Sequence, residues 1–191
     1  MDTTANGLLI FKPRPSASGL GILIPGVIFL VVSLLLFLFR DSLPPLLVWL
    51  TGLTFLVLGV AFLVGGCFLW WAKISMKYVL TQDTLTITGG LLRYDVPVSD
   101  IERAYRRDIN NTPGNNAPLS ANAVNTPGLA LANVTWRDTG LLKMCATSWK
   151  DVVLIVTPKN TYGITPDDVD GFLGTLSERG VAIGAPPAAS A

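Results

Sequence analysis

Two long apolar runs near the start of the chain constrain its fold more than any other feature. The first covers residues 19–39 and the second covers residues 42–72, with only Arg40 and Asp41 between them. A helix needs about 20 apolar residues to cross the hydrocarbon core of a bilayer, and both runs reach that length. A helix of a soluble protein would also carry a polar stripe, which neither run has. The sequence therefore predicts a membrane α-hairpin of two transmembrane (TM) helices.

The charges that flank the hairpin predict its orientation. Lys12 and Arg14 precede the first run and Lys73 and Lys77 follow the second, whereas the connecting turn holds one basic residue beside an acidic one. Because lysine and arginine accumulate on the cytoplasmic side of membrane helices, we expect both termini in the cytoplasm. The first run is long for the apolar part of a signal peptide, and no small-residue cleavage site follows it, so we expect it to be retained.

Two sets of residues in or beside the second run are candidates for specific contacts. The small residues of a candidate helix-packing face are Gly59, Ala61 and Gly65. Small residues let helix backbones approach closely in lipid, so this face is expected to pack either against the first helix or against another membrane protein. The residues of a candidate aromatic anchor at the cytoplasmic interface are Trp70, Trp71 and Lys73. Neither run contains a charged residue, so ion or proton transport has no support.

Composition narrows the chemistry that is open to the chain. The protein has a formal net charge of +1, which gives no reason to expect nucleic-acid binding. It contains no histidine, the commonest general base and metal ligand, and we expect neither a metal nor a cofactor. Cys67 lies at the predicted membrane depth, so we do not expect it to pair with Cys145, and the fold is predicted to lack a disulfide framework. We expect Cys145 to be an inert residue in or beside the core.

Beyond the hairpin the sequence changes to the short alternating pattern of β-strands. In residues 84–88, for example, apolar residues alternate with threonines, which predicts one buried and one wet face. About seven such stretches predict antiparallel strands, and a C-terminal helix is predicted to open at residues 165–168 and to end at Gly180. Residues 110–128 are rich in Asn, Pro and Gly and predict a mobile loop. The predicted organisation is a cytoplasmic N-terminal segment 1–18, the hairpin 19–72, an α+β domain 73–180 and a disordered tail 181–191.

Three stretches of this domain resemble the pleckstrin-homology (PH) superfold as it occurs in bacterial membrane proteins. They are residues 78–89, directly after the hairpin, residues 96–101, and residues 145–173. Their order behind a hairpin is similar to that of bacterial PH-domain proteins, and it implies a PH-like domain of strands followed by a C-terminal helix. Eukaryotic PH domains that bind phosphoinositides carry a basic cluster around the first hairpin. This chain has Lys77 and Arg93 there without that cluster, so the resemblance does not extend to inositide binding.

Two groups of charged or polar residues in the domain are candidate sites. The candidate contact residues for a partner or a phosphate are Arg103, Tyr105 and Arg107, which share one face of a predicted strand. Such a face can bind a lipid phosphate or an acidic partner, and the alternative is an ordinary solvated strand face. The acidic cluster consists of Asp167, Asp168 and Asp170. Carboxylates are typical of the first turn of a helix, and we favour that interpretation over a divalent cation site.

Together these features predict a bacterial inner-membrane protein without enzymatic activity. The two-helix anchor would present the PH-like domain at the cytoplasmic surface for protein interaction, as an accessory or assembly subunit of a larger membrane complex. The expected partners are the lipid bilayer and another membrane protein or complex, with neither nucleic acid nor metal. The alternative function is a sensor or binder of anionic lipid headgroups, or of a small ligand, at the cytoplasmic membrane surface.

Overall fold

The structure is a computed structural model, and it describes residues 2–3, 8–16, 23–39, 44–109, 124–126, 128–136 and 140–184. The chain divides into two compact units, one formed by Met1–Ser16 with Ala72–Ala191 and the other by Ala17–Trp71. We call the first the domain and the second the hairpin unit. Most of the predicted loop over 110–128 and most of the predicted tail lie outside the described residues.

Three helices and twelve strands are present among the described residues. The helices are α1 Leu23–Leu38, α2 Pro45–Ile74 and α3 Val169–Glu178. The strands are β1 Asp2–Thr3, β2 Leu9–Phe11, β3 Lys77–Leu80, β4 Thr84–Gly89, β5 Leu92–Pro97, β6 Arg103–Arg107, β7 Val124–Thr126, β8 Leu129–Trp136, β9 Gly140–Ala146, β10 Val152–Val156, β11 Thr161–Ile164 and β12 Ala182–Ile183. A short 3-10 helix covers Val98–Asp100.

The first sheet of the domain is antiparallel, with strand order β1-β2-β3-β4-β5. In β4 the apolar residues Leu85 and Ile87 are fully buried, whereas the threonines between them are half-buried. This is the alternation that the sequence predicted, and it arises because successive side chains of a strand point to opposite faces. Strand β5 forms one edge of the sheet.

The N-terminal segment belongs to this sheet, although the sequence analysis treated residues 1–18 as a separate segment. Strand β2 pairs with β3, and Phe11 lies opposite Tyr78. The side chain of Phe11 is buried and meets the ring of Phe172 edge-on, with ring centroids 5.0 Å apart. Because β2 precedes the helices and β3 follows them, the α1–α2 segment is an insertion between two neighbouring strands of the domain.

The second sheet has seven strands in the order β12-β6-β10-β11-β9-β8-β7. Its β11–β9 and β12–β6 pairings are parallel, so the prediction of a purely antiparallel domain was wrong. Strand β11 lies between β10 and β9 in this sheet. It pairs with β10 in the antiparallel direction and with β9 in the parallel direction. Residues 73–180 also hold nine strands among those described rather than about seven, including β7 inside the predicted loop.

A buried tyrosine ties the two sheets together. The Tyr78 hydroxyl donates a hydrogen bond to the Cys145 carbonyl at 2.9 Å and accepts one from the Thr165 N–H at 3.3 Å. Burial raises the pKa of Tyr78 above its ordinary value, so the hydroxyl stays protonated and remains a donor. One side chain of the first sheet thereby satisfies a carbonyl of β9 and the N–H that directly follows β11, which would otherwise be buried without partners.

Helix α3 begins later than predicted. Asp168 is its N-cap, and one of its carboxylate oxygens accepts a hydrogen bond from the Gly171 N–H at 2.9 Å. Pro166, which lies within the predicted helix opening at 165–168, instead forms a β-bridge with Pro13 of the N-terminal segment. The helix ends before Gly180, whose φ of 84° is left-handed and suits glycine. The acidic cluster therefore includes a capping residue, as the sequence interpretation favoured.

In the hairpin unit, α1 and α2 pack through small residues and one polar contact. The Ser33 hydroxyl donates a hydrogen bond to the Gly52 carbonyl across the two helices at 2.8 Å. A Cβ atom added to Gly59 would lie 2.7 Å from a methyl group of Leu30, so the helices approach too closely there for a side chain. Both contacts are of the kinds that stabilise helix pairs in membranes, where small residues allow close approach and hydroxyl groups form hydrogen bonds between helices.

The residues of the predicted helix-packing face, Gly59, Ala61 and Gly65, do not lie on one side of α2. Gly59 is buried against α1, but Ala61 and Gly65 are exposed, and a Cβ on Gly65 would meet no atom within 4 Å. The three residues do not act as one face towards α1, because positions 59, 61 and 65 do not share one side of a helix with 3.6 residues per turn.

This contrast gives a matched pair of substitutions. Gly59→Ala is expected to destabilise the hairpin by about 1–3 kcal/mol, because the added methyl group forces Leu30 out of its position. Gly65→Ala adds the same methyl group in open space and is expected to leave the hairpin at least as stable, because alanine favours a helix more than glycine does. Far-UV circular dichroism melting in detergent checks this, and equal melting of the two variants would refute the packing.

The length of the two helices differs. Within the described residues, Val48–Ile74 of α2 is the one stretch long and apolar enough to cross a membrane. Helix α1 has 16 residues, fewer than the about 20 that a bilayer requires. A hairpin with two TM helices therefore stays a prediction.

Candidate interaction surface

The structure removes Tyr105 from the surface site that the sequence predicted. Tyr105 is only 2% exposed and packs in an apolar cluster with Met144 and Leu154 of neighbouring strands, while Arg103 and Arg107 are half-buried. Residues of β8, β9 and β10 complete this cluster, so the Tyr105 side chain points into a core. The prediction of a solvent-facing Arg103–Tyr105–Arg107 contact was wrong for its central residue.

The exposed arginine of β6 is Arg106, and it is engaged within the domain. It donates hydrogen bonds of 3.0 and 2.8 Å to one oxygen of Asp151, and Arg14 donates to the other oxygen at 3.2 Å. The hydrogen bond from Arg106 is the main cause that holds the pKa of Asp151 below its ordinary value. This carboxylate joins the N-terminal segment to the β9–β10 connection, which is a structural role rather than a free phosphate site.

The predicted aromatic anchor is also divided between different roles. Trp70 and Trp71 of α2 are each 44% exposed, and their role as an interfacial anchor stays a prediction. The amino group of Lys73 instead donates a hydrogen bond to the Ser16 carbonyl, within the domain. Lys73 therefore ties the end of the N-terminal segment to the start of the chain that follows the hairpin.

A cluster that the sequence did not indicate joins the first sheet to the second. Its members are Tyr94 of β5, Lys143 of β9 and Tyr162 of β11. The two rings have centroids 5.6 Å apart, and the Lys143 ammonium lies 5.4 Å from the Tyr94 ring centroid and 5.7 Å from that of Tyr162. These distances are those of cation–π contacts, which hold the lysine between the two rings.

In this Tyr94–Lys143–Tyr162 cluster, Tyr94 and Lys143 are half-buried and Tyr162 is buried. No carboxylate of the described residues forms an ion pair with Lys143, whose side chain is half-buried. The Tyr94 hydroxyl lies 3.5 Å from Asn133, and the Tyr162 hydroxyl lies 3.5 Å from the Asn160 amide. Partial burial raises the pKa of Tyr94, so its hydroxyl remains a hydrogen-bond donor. A fixed cation among hydroxyl and amide groups is suited to an anionic group of a partner.

The cluster continues into an open sheet edge. Among the described strands β5 pairs only with β4, so its other side presents backbone N–H and C=O groups without a strand partner. Tyr94 belongs to this strand, with the charged residues Arg93 and Asp95 on either side. Charged side chains limit indiscriminate pairing of an edge, while a specific strand can still add to it. We call the cluster together with the β5 edge the interaction surface.

The Cys145 thiol is buried in the core of the domain. Burial raises the pKa of the Cys145 thiol to about 12, so it is not a nucleophile at neutral pH. Within the described ranges, no group of three His, Cys, Asp or Glu side chains could hold a metal ion. What this surface offers is binding by aromatic, cationic and backbone groups.

Sequence reasoning missed the cluster because its residues lie on three separate strands. Tyr94 and Lys143 are brought together only when the first sheet packs on the second, and Lys143 and Tyr162 only through the parallel pairing of β9 and β11, where they are register partners. A signal that the sequence did carry is the aromatic residue at Tyr162 beside the turn at 157–160.

The domain thus consists of two sheets followed by a C-terminal helix, with the Tyr94–Lys143–Tyr162 cluster joining the sheets. A family model described as bacterial PH domain matches residues 76–180, which is more than half of the chain, and the protein belongs to this family. No curated protein and no solved structure matches the chain. The match confirms the predicted PH-like domain and falls within its predicted limits of 73–180.

Proposed function

We propose that this protein is a non-enzymatic binding module of the bacterial inner membrane. In this proposal α1 and α2 anchor the chain, and the PH domain holds a protein partner at the cytoplasmic surface. The observation that carries the anchor is the exposed apolar surface of α2. Its exposed residues include Trp49, Leu53, Val57, Val60 and Val64. A continuous apolar surface of this size on a helix of membrane-spanning length is suited to lipid.

The topology of the domain supports a hairpin that enters and leaves on the same side of the membrane. Strands β2 and β3 are hydrogen-bonded neighbours, although the whole α1–α2 segment separates them in the chain. The insertion therefore begins and ends in one folded unit, which requires an even number of crossings. Lysines and arginines on both flanks favour the cytoplasm for that side.

The partner that fits the interaction surface is a protein with an extended segment and an acidic side chain. Addition of a strand to the β5 edge would supply backbone hydrogen bonds, and a carboxylate would pair with Lys143. Tyrosine is among the residues that most often dominate the binding energy of protein interfaces. A module that holds one protein at the membrane surface is suited to an accessory or assembly subunit of a larger membrane complex.

Site-specific photo-crosslinking in living bacteria tests this proposal. A photoreactive amino acid at Asp95, on the open edge, is expected to give one discrete adduct with a protein partner. The same amino acid at Glu178, which is exposed at the end of α3, serves as the control and is expected to give none. Adducts of equal intensity from both positions, or from neither, would contradict the assignment of the binding surface.

A further inference from the structure

The turn between β4 and β5 presents an apolar side chain where a polar residue is usual. Gly90 and Leu91 form this two-residue turn, and Gly90 has a φ of 60°, as the first position of a tight hairpin turn requires. Leu91 is 79% exposed, whereas Leu141 and Ile183, the exposed large apolar residues among the strand side chains that the structure describes, are 40% and 41% exposed. Turn residues are ordinarily small or polar, so an exposed leucine at the tip calls for an apolar environment.

The turn is held firmly next to the end of α2. The Gly90 N–H donates a hydrogen bond to the Ser75 hydroxyl at 2.9 Å, and Ser75 directly follows Ile74, the last residue of the helix. On the other side, a Cβ atom on Gly89 would lie 2.5 Å from the sulfur of Cys145, so the strand end is packed tightly against the second sheet. The Leu91 side chain is therefore carried by a fixed turn.

Basic side chains stand beside the apolar tip. Lys77 of β3 and Arg93 of β5 are the register partners of Thr88 on its two sides, so both extend from the same outer face of the sheet. Both side chains are exposed. Arg93 forms a solvent-exposed ion pair with Asp95 at 3.0 Å. An apolar tip with flanking cations is the pattern of a segment that lies in the interface of an anionic membrane.

We infer that the Gly90–Leu91 turn is a second membrane contact of the domain, in which Leu91 enters the interface and Lys77 and Arg93 meet lipid phosphates. This inference rests on the proposed anchoring of α2 in the membrane. The candidate span Val48–Ile74 has 27 residues. At 1.5 Å per residue a helix of this length measures about 40 Å, longer than the hydrocarbon core of about 30 Å and close to the full bilayer thickness. Ile74 then lies at the level of the lipid headgroups.

The position of the Gly90–Leu91 turn beside the end of α2 favours the bilayer, rather than a protein, as the surface that Leu91 contacts. Ile74 is 69% exposed, and Ser75, which holds the turn, is the next residue in the chain. Because the Gly90–Leu91 turn is hydrogen-bonded to the residue that follows α2, we expect the turn and the end of α2 to share one environment. The contact would fix the orientation of the domain at the membrane, so that the interaction surface is presented in one direction.

Fluorescent depth measurement on the full chain tests the inference. Native Cys67 is exposed on α2 and Cys145 is buried, so a thiol-reactive NBD dye labels Cys67 in the wild-type chain. Two further proteins carry Cys67→Ala with either Leu91→Cys or the matched control Leu141→Cys. Leu141 is four residues from Cys145 along β9, or about 13 Å further from the turn. All three are placed in nanodiscs of phosphatidylcholine and phosphatidylglycerol that contain nitroxide-labelled lipid.

We expect acyl-chain nitroxides to quench the dye at Cys67, headgroup nitroxides to quench it at Leu91→Cys, and neither to quench it at Leu141→Cys. Emission at Leu91→Cys as unquenched as at Leu141→Cys, with Cys67 quenched, would overturn the inference and leave the anchor intact. A blue-shifted but unquenched dye at Leu91→Cys would mean that protein covers the turn, which also overturns it. An unquenched dye at Cys67 would refute the proposed anchoring itself, and this inference with it.

Discussion

Phe172→Ala is expected to lower the free energy of unfolding of the domain by about 3–5 kcal/mol, the usual cost of removing a fully buried phenylalanine. Phe172 is fully buried on α3, and its ring meets Phe11 of the N-terminal strand at 5.0 Å. The substitution thus leaves a cavity between the helix and the first sheet, at the point where the N-terminal segment is held. Folded domains are stable by only about 5–15 kcal/mol, so this loss is a large part of the total.

Denaturant unfolding in mild detergent, followed by near-UV circular dichroism, measures this effect. Leu173→Ala is the matched control, because the neighbouring residue is on the same helix but only half-buried. A Phe11→Ala variant and the double variant complete a double-mutant cycle, which measures the interaction free energy of the two rings. We expect this interaction to be favourable, as is usual for an edge-on aromatic pair. If Phe172→Ala cost no more than Leu173→Ala, the packing of α3 on the first sheet would be wrong.

Val60→Arg is expected to reduce membrane integration about 100-fold, because an arginine at the centre of a membrane helix costs about 2.5–3.5 kcal/mol. Val60 lies near the middle of the candidate span Val48–Ile74, and its side chain is exposed. On the surface of a soluble protein the same substitution would be tolerated, since an exposed arginine is well hydrated there. The variant therefore distinguishes between a lipid and an aqueous environment of α2.

The fraction of protein that resists alkaline carbonate extraction of membranes measures this integration. Val60→Leu is the control, because it changes the side chain without adding charge and is expected to integrate as the wild type does. Equal carbonate resistance of Val60→Arg and Val60→Leu would contradict the proposed anchor.

Features that depend on local pattern were predictable from the sequence. The length and apolar character of residues 42–72 predicted α2, and alternation over 84–88 predicted β4. The PH-like domain followed from the order of such stretches, and the family match at residues 76–180 confirms it. These predictions succeed because helix length and strand alternation are set by residues close together in the chain.

Features that depend on distant pairing were not predictable. Strand β2 has only three residues, Leu9–Phe11, and its role depends on a partner on the far side of the hairpin. Tyr105 alternates with arginines, which suggests a polar face, but its side chain packs in an apolar cluster, and the alternation alone cannot tell a core from a surface. The Tyr94–Lys143–Tyr162 cluster exists only through contacts between strands that are remote in sequence.

Affinity purification of the full chain from membranes in mild detergent, with mass spectrometry of the wild type and of Lys143→Ala, tests the proposed function most directly. We expect the wild type to retain one membrane-associated partner in constant ratio. Lys143→Ala is expected to lose it, because the variant removes the cation held between Tyr94 and Tyr162. Lys150→Ala, at an exposed lysine of the same domain, is expected to retain the partner. Recovery of the wild type alone, or a partner that persists with Lys143→Ala, would contradict a binding module that acts through this surface.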